Sequence, residues 1–131
     1  MKGTLYCGLV AILVNAGAYG SIQDILQGYA QAGAGPFDPA AGKAAWVQVH
    51  RHTEAGEPRS CSSCHGSDLT RAGRHVTTGK PIEPLAVSTN PSRLSDPQKV
   101  ETWFRRNCRW TLGRDCTPQE KGDFIRYISK P

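Results

Sequence analysis

Cys61, Cys64 and His65 stand in the order Cys-x-x-Cys-His within "CSSCHGSDLT". That spacing is the one by which a c-type haem is attached. Each cysteine makes a thioether to the porphyrin edge, and the histidine supplies one axial iron bond. Two cysteines one short turn apart straddle a single edge of the macrocycle, and the next residue carries its imidazole beneath the iron. The second nitrogen of a ligating imidazole normally has an acceptor; a carbonyl between Pro81 and Pro84 is the candidate. Two rival chemistries use the same residue types. A thioredoxin-type dithiol requires a βαβ setting, and none is visible. A zinc site could recruit His50 and His52 with Cys61 and Cys64, but their order and spacing are unusual for one.

The second axial face of the iron is the open question. A soluble electron-carrying cytochrome c usually fills it with methionine, and the only methionine of this chain is Met1. His75, ten residues after His65, reads as a surface-loop histidine on or near the proximal side. His50 or His52 could swing across, lysines normally stay solvated, and a water-occupied face is a further option. Asn107 is the remaining polar candidate. Val100, Trp103, Phe104 and Asn107 follow i, i+3, i+4, i+7 spacing, which places them on one buried helix face. A buried amide needs partners, so Asn107 is a structural cap, a hydrogen-bonded core residue or a group that faces a ligand. An amide oxygen is a weak ligand for ferric iron and a poorer one for ferrous iron. It would leave the iron high-spin and open to a diatomic molecule, whereas a methionine closes the coordination shell.

These residues need elements to position them. The segment "MKGTLYCGLVAILVNAGAYG" has a basic start, an apolar centre and a small-residue exit, the pattern of a secretory signal peptide. Residues 1–20 are therefore expected to be removed, with cleavage at Gly20–Ser21 or, as the rival, Ala18–Tyr19. The apolar centre falls short of the ~20 residues that span a bilayer, so stable membrane insertion after cleavage is not expected. Cys7 precedes the apolar centre, which disfavours a lipoprotein. Residues 21–131 then form one domain located in the periplasm. Of the five cysteines, Cys7 leaves with the leader and Cys61 and Cys64 go to haem. Cys108 and Cys116 remain, and an oxidising compartment favours their pairing. Closing so short a loop should stabilise by less than the ~3 kcal/mol of a 15-residue loop.

Four helices are expected. "SIQDILQGYAQ" carries the stripe Ile22, Ile25, Leu26, Tyr29. "DPAAGKAAWVQVH" starts from an Asp38 cap with Pro39 in the first turn, and Gly42 would let its backbone approach the last helix. The third helix is read from Ser95 as N-cap with Gln98 completing a capping box, and Asp96 suits its positive start. The fourth begins Thr117, Pro118, with Glu120 at the box position. Between Leu69 and Leu94 nothing is periodic; an extended run of that kind needs an object to wrap around. Only 38% of the chain is hydrophobic, a thin core for this length, which a buried porphyrin would complete.

The stretch from Arg59 to Ile128 resembles the sphaeroides haem protein family of high-spin class I cytochromes c. The shared elements are the C-x-x-C-H-G-x-D-x-T-R-A-G start, the T-G-K-x-I-x-P-L-A stretch, R-N-C and G-R-D-C-T. Likeness is thinner from Ser21 to Pro58, and the chain departs from the pattern at "VHRHTEAGEP" and around "GRHV". The resemblance implies an all-α class I cytochrome c-like domain, about four short helices wrapped round one covalent haem c with extended loops. It implies that His65 and Asn107 ligate the iron, that the asparagine is displaced on reduction or ligand binding, and that a Cys108–Cys116 disulfide begins just after it. It further implies O2 and NO binding, and a dihaem cytochrome c as electron donor.

Two functions follow from these expectations. One is an exported haem protein with Asn107 as a labile ligand that binds O2 or NO, with NO dioxygenase or oxygen-reducing activity when supplied with electrons. The other is a simple periplasmic electron-transfer cytochrome in which Asn107 is structural. The net charge of +5, lowered by one when Lys2 is lost, suits an acidic redox partner. Nucleic acid is not expected, because no Lys/Arg stripe is interleaved with aromatics.

Overall fold

Five helices and one short hairpin make up the described part of the computed structural model, residues 17–51 and 56–130. They are α1 (Gly17–Gln31), α2 (Pro39–Val47), α3 (Cys61–His65), β1 (Gly73–Arg74), β2 (Pro81–Ile82), α4 (Pro97–Leu112) and α5 (Pro118–Ile128). Most of the expected leader, and His52, lie outside the described residues. The chain is all-α in character, as expected, with the Cys-x-x-Cys-His motif forming a fifth, short helix. Among the described residues no helix is long and apolar enough to cross a membrane.

The α1 stripe Ile22, Ile25, Leu26 and Tyr29 is buried, against Val100 of α4 and Phe124, Ile125 and Ile128 of α5 in one core cluster. Polar ties reinforce that contact. Tyr29 donates its hydroxyl to Glu101 of α4, and the Lys121 ammonium of α5 reaches the other oxygen of Glu101 at 2.7 Å. Burial and the adjoining carboxylate raise the tyrosine pKa, so it remains a donor.

α2 and α5 cross closely because Gly42 has no side chain: a Cβ there would lie 2.2 Å from the Asp123 carbonyl oxygen. The crossing sets Trp46 edge-on to Phe124 and Tyr127, with ring centroids 5.8 and 5.9 Å away. Buried Asp123 accepts the Asp38 amide at 2.7 Å and the Gln119 side chain at 3.0 Å, tying the start of α2 to α5.

Asp38 caps α2, and Thr117 with Glu120 forms the capping box of α5, as the sequence indicates. The cap of α4 falls one residue later than expected: Asp96, not Ser95, accepts the amides of Gln98 and Lys99 at 3.0 and 3.2 Å. Pro97 takes the first helical position, where a missing amide proton costs nothing, and this makes its predecessor the cap. The Ser95 hydroxyl instead donates to the Ser92 carbonyl.

Glu120 also chelates Arg114, at 2.7 and 2.9 Å. That ion pair and the Thr117 amide pull its pKa from 4.5 to about 2 against the opposing effect of burial. A carboxyl depressed on folding stabilises the protein above its unfolded pKa and loses that contribution as pH falls through its folded pKa. Substitution of Glu120 by Gln should therefore lower Tm near neutral pH. The gap to wild type should shrink below pH 4.5 and close near pH 2, as thermal melts across that range will show.

Candidate functional site: a haem cavity

Helix α3 is a single capped turn. The Ser60 hydroxyl accepts the Ser63 amide at 3.2 Å, and the Ser63 hydroxyl accepts the Ser60 amide at 3.0 Å, a reciprocal capping box. This cap fixes Cys61 and Cys64 at i, i+3, on one side of the turn. Gly66 ends the helix with φ of 72°, a conformation that favours glycine, and its carbonyl accepts the Trp46 indole N–H at 2.9 Å. The His65 ring lies 5.5 Å from the Trp46 ring. The tightly packed α2–α5 pair thereby locates the histidine.

Cys61, Cys64 and His65 open onto a cavity of about 530 Å³, within the range of pockets that enclose a small organic group. Much of its wall is apolar: Leu94, Val100, Phe104, Phe124, Ile125 and Ile128. Burial, aided by the Arg93 charge, lowers the His65 pKa to about 4, so the imidazole is neutral and its lone pair is available at physiological pH. Burial raises the Cys61 pKa to about 11. Neither Cys61 nor Cys64 is in a disulfide. Two free thiols at one edge of an apolar cavity, with a neutral imidazole beside them, fit a c-type haem. Among the described residues no three His, Cys, Asp or Glu side chains are grouped to hold a metal ion; His52 of the zinc alternative lies outside them. His50 is engaged through its backbone in a two-way bridge with Arg59, at 2.7 and 2.9 Å.

The hairpin β1–β2, antiparallel with Gly73 opposite Ile82 and Arg74 opposite Pro81, is seated on α3. A Cβ on Gly73 would meet the Cys64 carbonyl oxygen at 2.2 Å and His65 Cα at 3.0 Å. The close approach is the reason for a glycine at position 73. The expected acceptor stretch does line the cavity at Pro81, Ile82 and Glu83. The carbonyls of Glu83 and Pro84 accept from the Arg93 guanidinium at 3.0 and 3.2 Å.

Asn107 lines the same cavity from α4. It is exposed on that helix rather than buried, as is Trp103, half of whose surface is accessible. The buried α4 residues are Val100, Cys108 and Thr111; these and the neighbouring, more accessible stripe Trp103, Asn107 and Trp110 all line the cavity. Immediately after Asn107, Cys108 is bonded to Cys116, with Cα atoms 5.6 Å apart. Gly113, with φ of 73°, ends α4 so that the chain can turn back. His75 also departs from expectation. It is half-buried, lines the cavity and packs on Trp110 of α4, its ring centroid 5.8 Å from the indole.

What such a shell accommodates is a planar macrocycle, and the class defined by the fold and the site together is the class I c-type cytochrome. Residues 32–128 match a domain of unknown function, DUF1924. The chain is 39% identical to cytochrome c-type protein SHP of Cereibacter sphaeroides over 128 residues, 96% of this chain and 98% of that one. It belongs to the sphaeroides haem protein family. Its structure matches that of oxidised SHP, described as an oxygen-binding cytochrome c, with a TM-score of 0.76 at 41% identity, covering 82% of this chain and 95% of the other. Oxidised cytochrome c'' of Methylophilus methylotrophus matches with a TM-score of 0.72 at 31% identity, over 83% and 93% of the two chains.

Proposed function

We propose that this chain is an exported cytochrome with a single haem c held covalently by Cys61 and Cys64, and that it binds O2 or NO. His65 is the permanent axial ligand and Asn107 the labile one. The observation that carries this reading is the position of Asn107, on a different helix from His65 but facing the same cavity. No methionine lies among the described residues to take its place. The relative whose structure is described as an oxygen-binding cytochrome c supports the ligand class. A second cytochrome c'' structure, described in terms of haem-ligand detachment, supports lability of one ligand.

When bound, the haem supplies reversible coordination of a diatomic molecule and a one-electron change. The chain's residues do the rest. The apolar wall limits water, the neutral His65 imidazole offers its lone pair without first losing a proton, and the Asn107 amide is a weak competitor that an incoming ligand can displace. Lys80, Arg93 and Arg106 on the cavity lining suit docking of an acidic electron donor, for which a dihaem cytochrome c is the proposed partner. Supplied with electrons, the protein would act as a NO dioxygenase or reduce oxygen. Residues 1–20 direct export to the periplasm and are removed.

A plain electron-transfer role, with Asn107 structural, has one feature in its favour: the half-exposed Trp103 with the Arg106 guanidinium 5.0 Å from its ring, an aromatic-cationic pair suited to a protein partner.

Attachment is tested by intact mass and pyridine haemochrome of protein exported alongside cytochrome c maturation factors. The expected mass is that of residues 21–131 plus one haem, and Cys61→Ser with Cys64→Ser should abolish it. Wild-type protein without covalent haem would contradict the assignment.

A further inference from the structure

Thr111, Ser60 and Asp123 are the buried polar side chains among the described residues. Ser60 uses its hydroxyl to cap α3, and Asp123 accepts from Asp38 and Gln119. The Thr111 hydroxyl has no hydrogen-bond partner among the described residues. A threonine inside a helix commonly bonds the carbonyl one turn back. Thr102 of the same helix does so, donating to the Gln98 carbonyl at 2.9 Å; Thr111 does not do the same to Asn107. Yet among the described residues no side-chain oxygen or nitrogen is sealed away unpaired, so the Thr111 Oγ1 keeps an open side. The residue is only 4% exposed and lines the haem cavity, which is the open space it faces.

Its place on α4 puts that hydroxyl beside the labile ligand. Thr111 follows Asn107 at i+4, where side chains are helix-surface neighbours with Cβ atoms about 5–6 Å apart, and both line the cavity. The helix is pinned on either side of Thr111. Arg59 donates to the Trp110 carbonyl at 3.1 Å, its guanidinium 3.7 Å from the indole centroid. Cys108 is bonded to Cys116, and Arg109 chelates Asp115 at 2.7 and 3.1 Å. Packing alone does not call for a hydroxyl here, because valine has nearly the same shape and Leu112, Phe124 and Ile125 make the same cavity apolar.

We propose that the Thr111 hydroxyl donates a hydrogen bond to the outer atom of a diatomic ligand that has displaced the Asn107 amide, and so favours O2 over CO. The inference rests on the gas-binding reading above. O2 draws electron density outward on binding ferrous haem and becomes a good acceptor, whereas CO does so weakly. Asn107 then sets whether the face is open, and Thr111 which molecule stays.

Two substitutions separate the hydroxyl from the shape. Thr111→Val keeps the volume and removes the O–H; Thr111→Ser keeps the O–H and removes the methyl. O2 and CO dissociation rates are measured by stopped flow on the reduced, haem-loaded proteins, with Tm alongside. Thr111→Val should release O2 roughly 5- to 10-fold faster, the size of one net hydrogen bond, with CO release within about twofold of wild type. Its Tm should not fall, since no protein bond is lost. Thr111→Ser should keep most of the O2 preference. An unchanged O2/CO ratio in Thr111→Val, or a preference lost equally in both variants, overturns the donor role while the gas-binding reading stands. A reduced wild-type protein that binds neither gas overturns both.

Discussion

Replacing Asn107 with Ala should speed CO binding to the reduced protein and leave the oxidised protein high-spin, whereas Asn107→His should turn it low-spin and slow ligand entry. The two changes move in opposite directions because the position sets the fraction of molecules in which the distal face is open. An amide oxygen competes weakly for iron, and alanine offers no donor atom. An imidazole is a much better ligand for iron. Apparent affinity is the intrinsic affinity scaled by the open fraction, so a closed-to-open ratio on the order of 100:1 in the histidine variant weakens CO binding about 100-fold. Asn107 lies on the cavity side of α4 and is exposed there, so neither substitution has a packed core to disturb. CO binding by flash photolysis, read with the spin state from the absorption spectrum, measures both effects. Identical rates and spin states in wild type and Asn107→Ala would leave Asn107 a structural residue and favour the electron-transfer role.

Gly42→Ala should be strongly destabilising. The added Cβ would meet Asp123 backbone atoms at 2.2 and 2.6 Å and Tyr127 Cβ at 3.1 Å. Backbone cannot rotate aside as a side chain does, so α2 and α5 must separate. Overpacking costs 1–3 kcal/mol and occasionally more, and the better helix propensity of alanine returns only about 1 kcal/mol. A backbone clash this close belongs at the top of that range, so a net loss of about 2 kcal/mol is expected, a fall in Tm of roughly 6–12 °C for a domain of this size. Separation of the two helices would also shift Trp46, which holds Gly66 and borders His65, so the haem spectrum should change with stability. Gly28→Ala, on the exposed side of α1 with nothing within 4 Å of the new methyl, is the control: it should leave Tm unchanged or raise it. Thermal denaturation of the haem-loaded variants distinguishes the two.

The features that were legible in the sequence are those set by local chemistry. The Cys-x-x-Cys-His spacing, the Asp38 cap, the Thr117–Glu120 box and the α1 stripe each follow from residues within two turns of one another. The close crossing at Gly42 could also be read, because a glycine one turn before a tryptophan has few other uses in a helix. Three features were less accessible. The α4 cap moved by one residue because Pro97 outweighs the Ser95–Gln98 pattern. The hairpin strands are two residues each, too short for any alternation to register, so His75 was read as a surface-loop residue. For Trp103 and Asn107 the choice between protein core and ligand stays open in the sequence, because an apolar face at helical spacing does not reveal whether it meets protein or a cavity; here α4 meets both. The Ser60–Ser63 box is present in the sequence as an S-x-x-S pattern that overlaps the attachment motif, whose cysteines carry the stronger local signal.

The central claim is that the haem iron has one permanent and one labile protein ligand. Absorption and EPR spectra of the oxidised and reduced protein, with and without NO, test it most directly. A high-spin oxidised spectrum, and a reduced form that takes up NO rapidly, is the result this account predicts. A six-coordinate low-spin spectrum in both oxidation states, unchanged by NO, would contradict it.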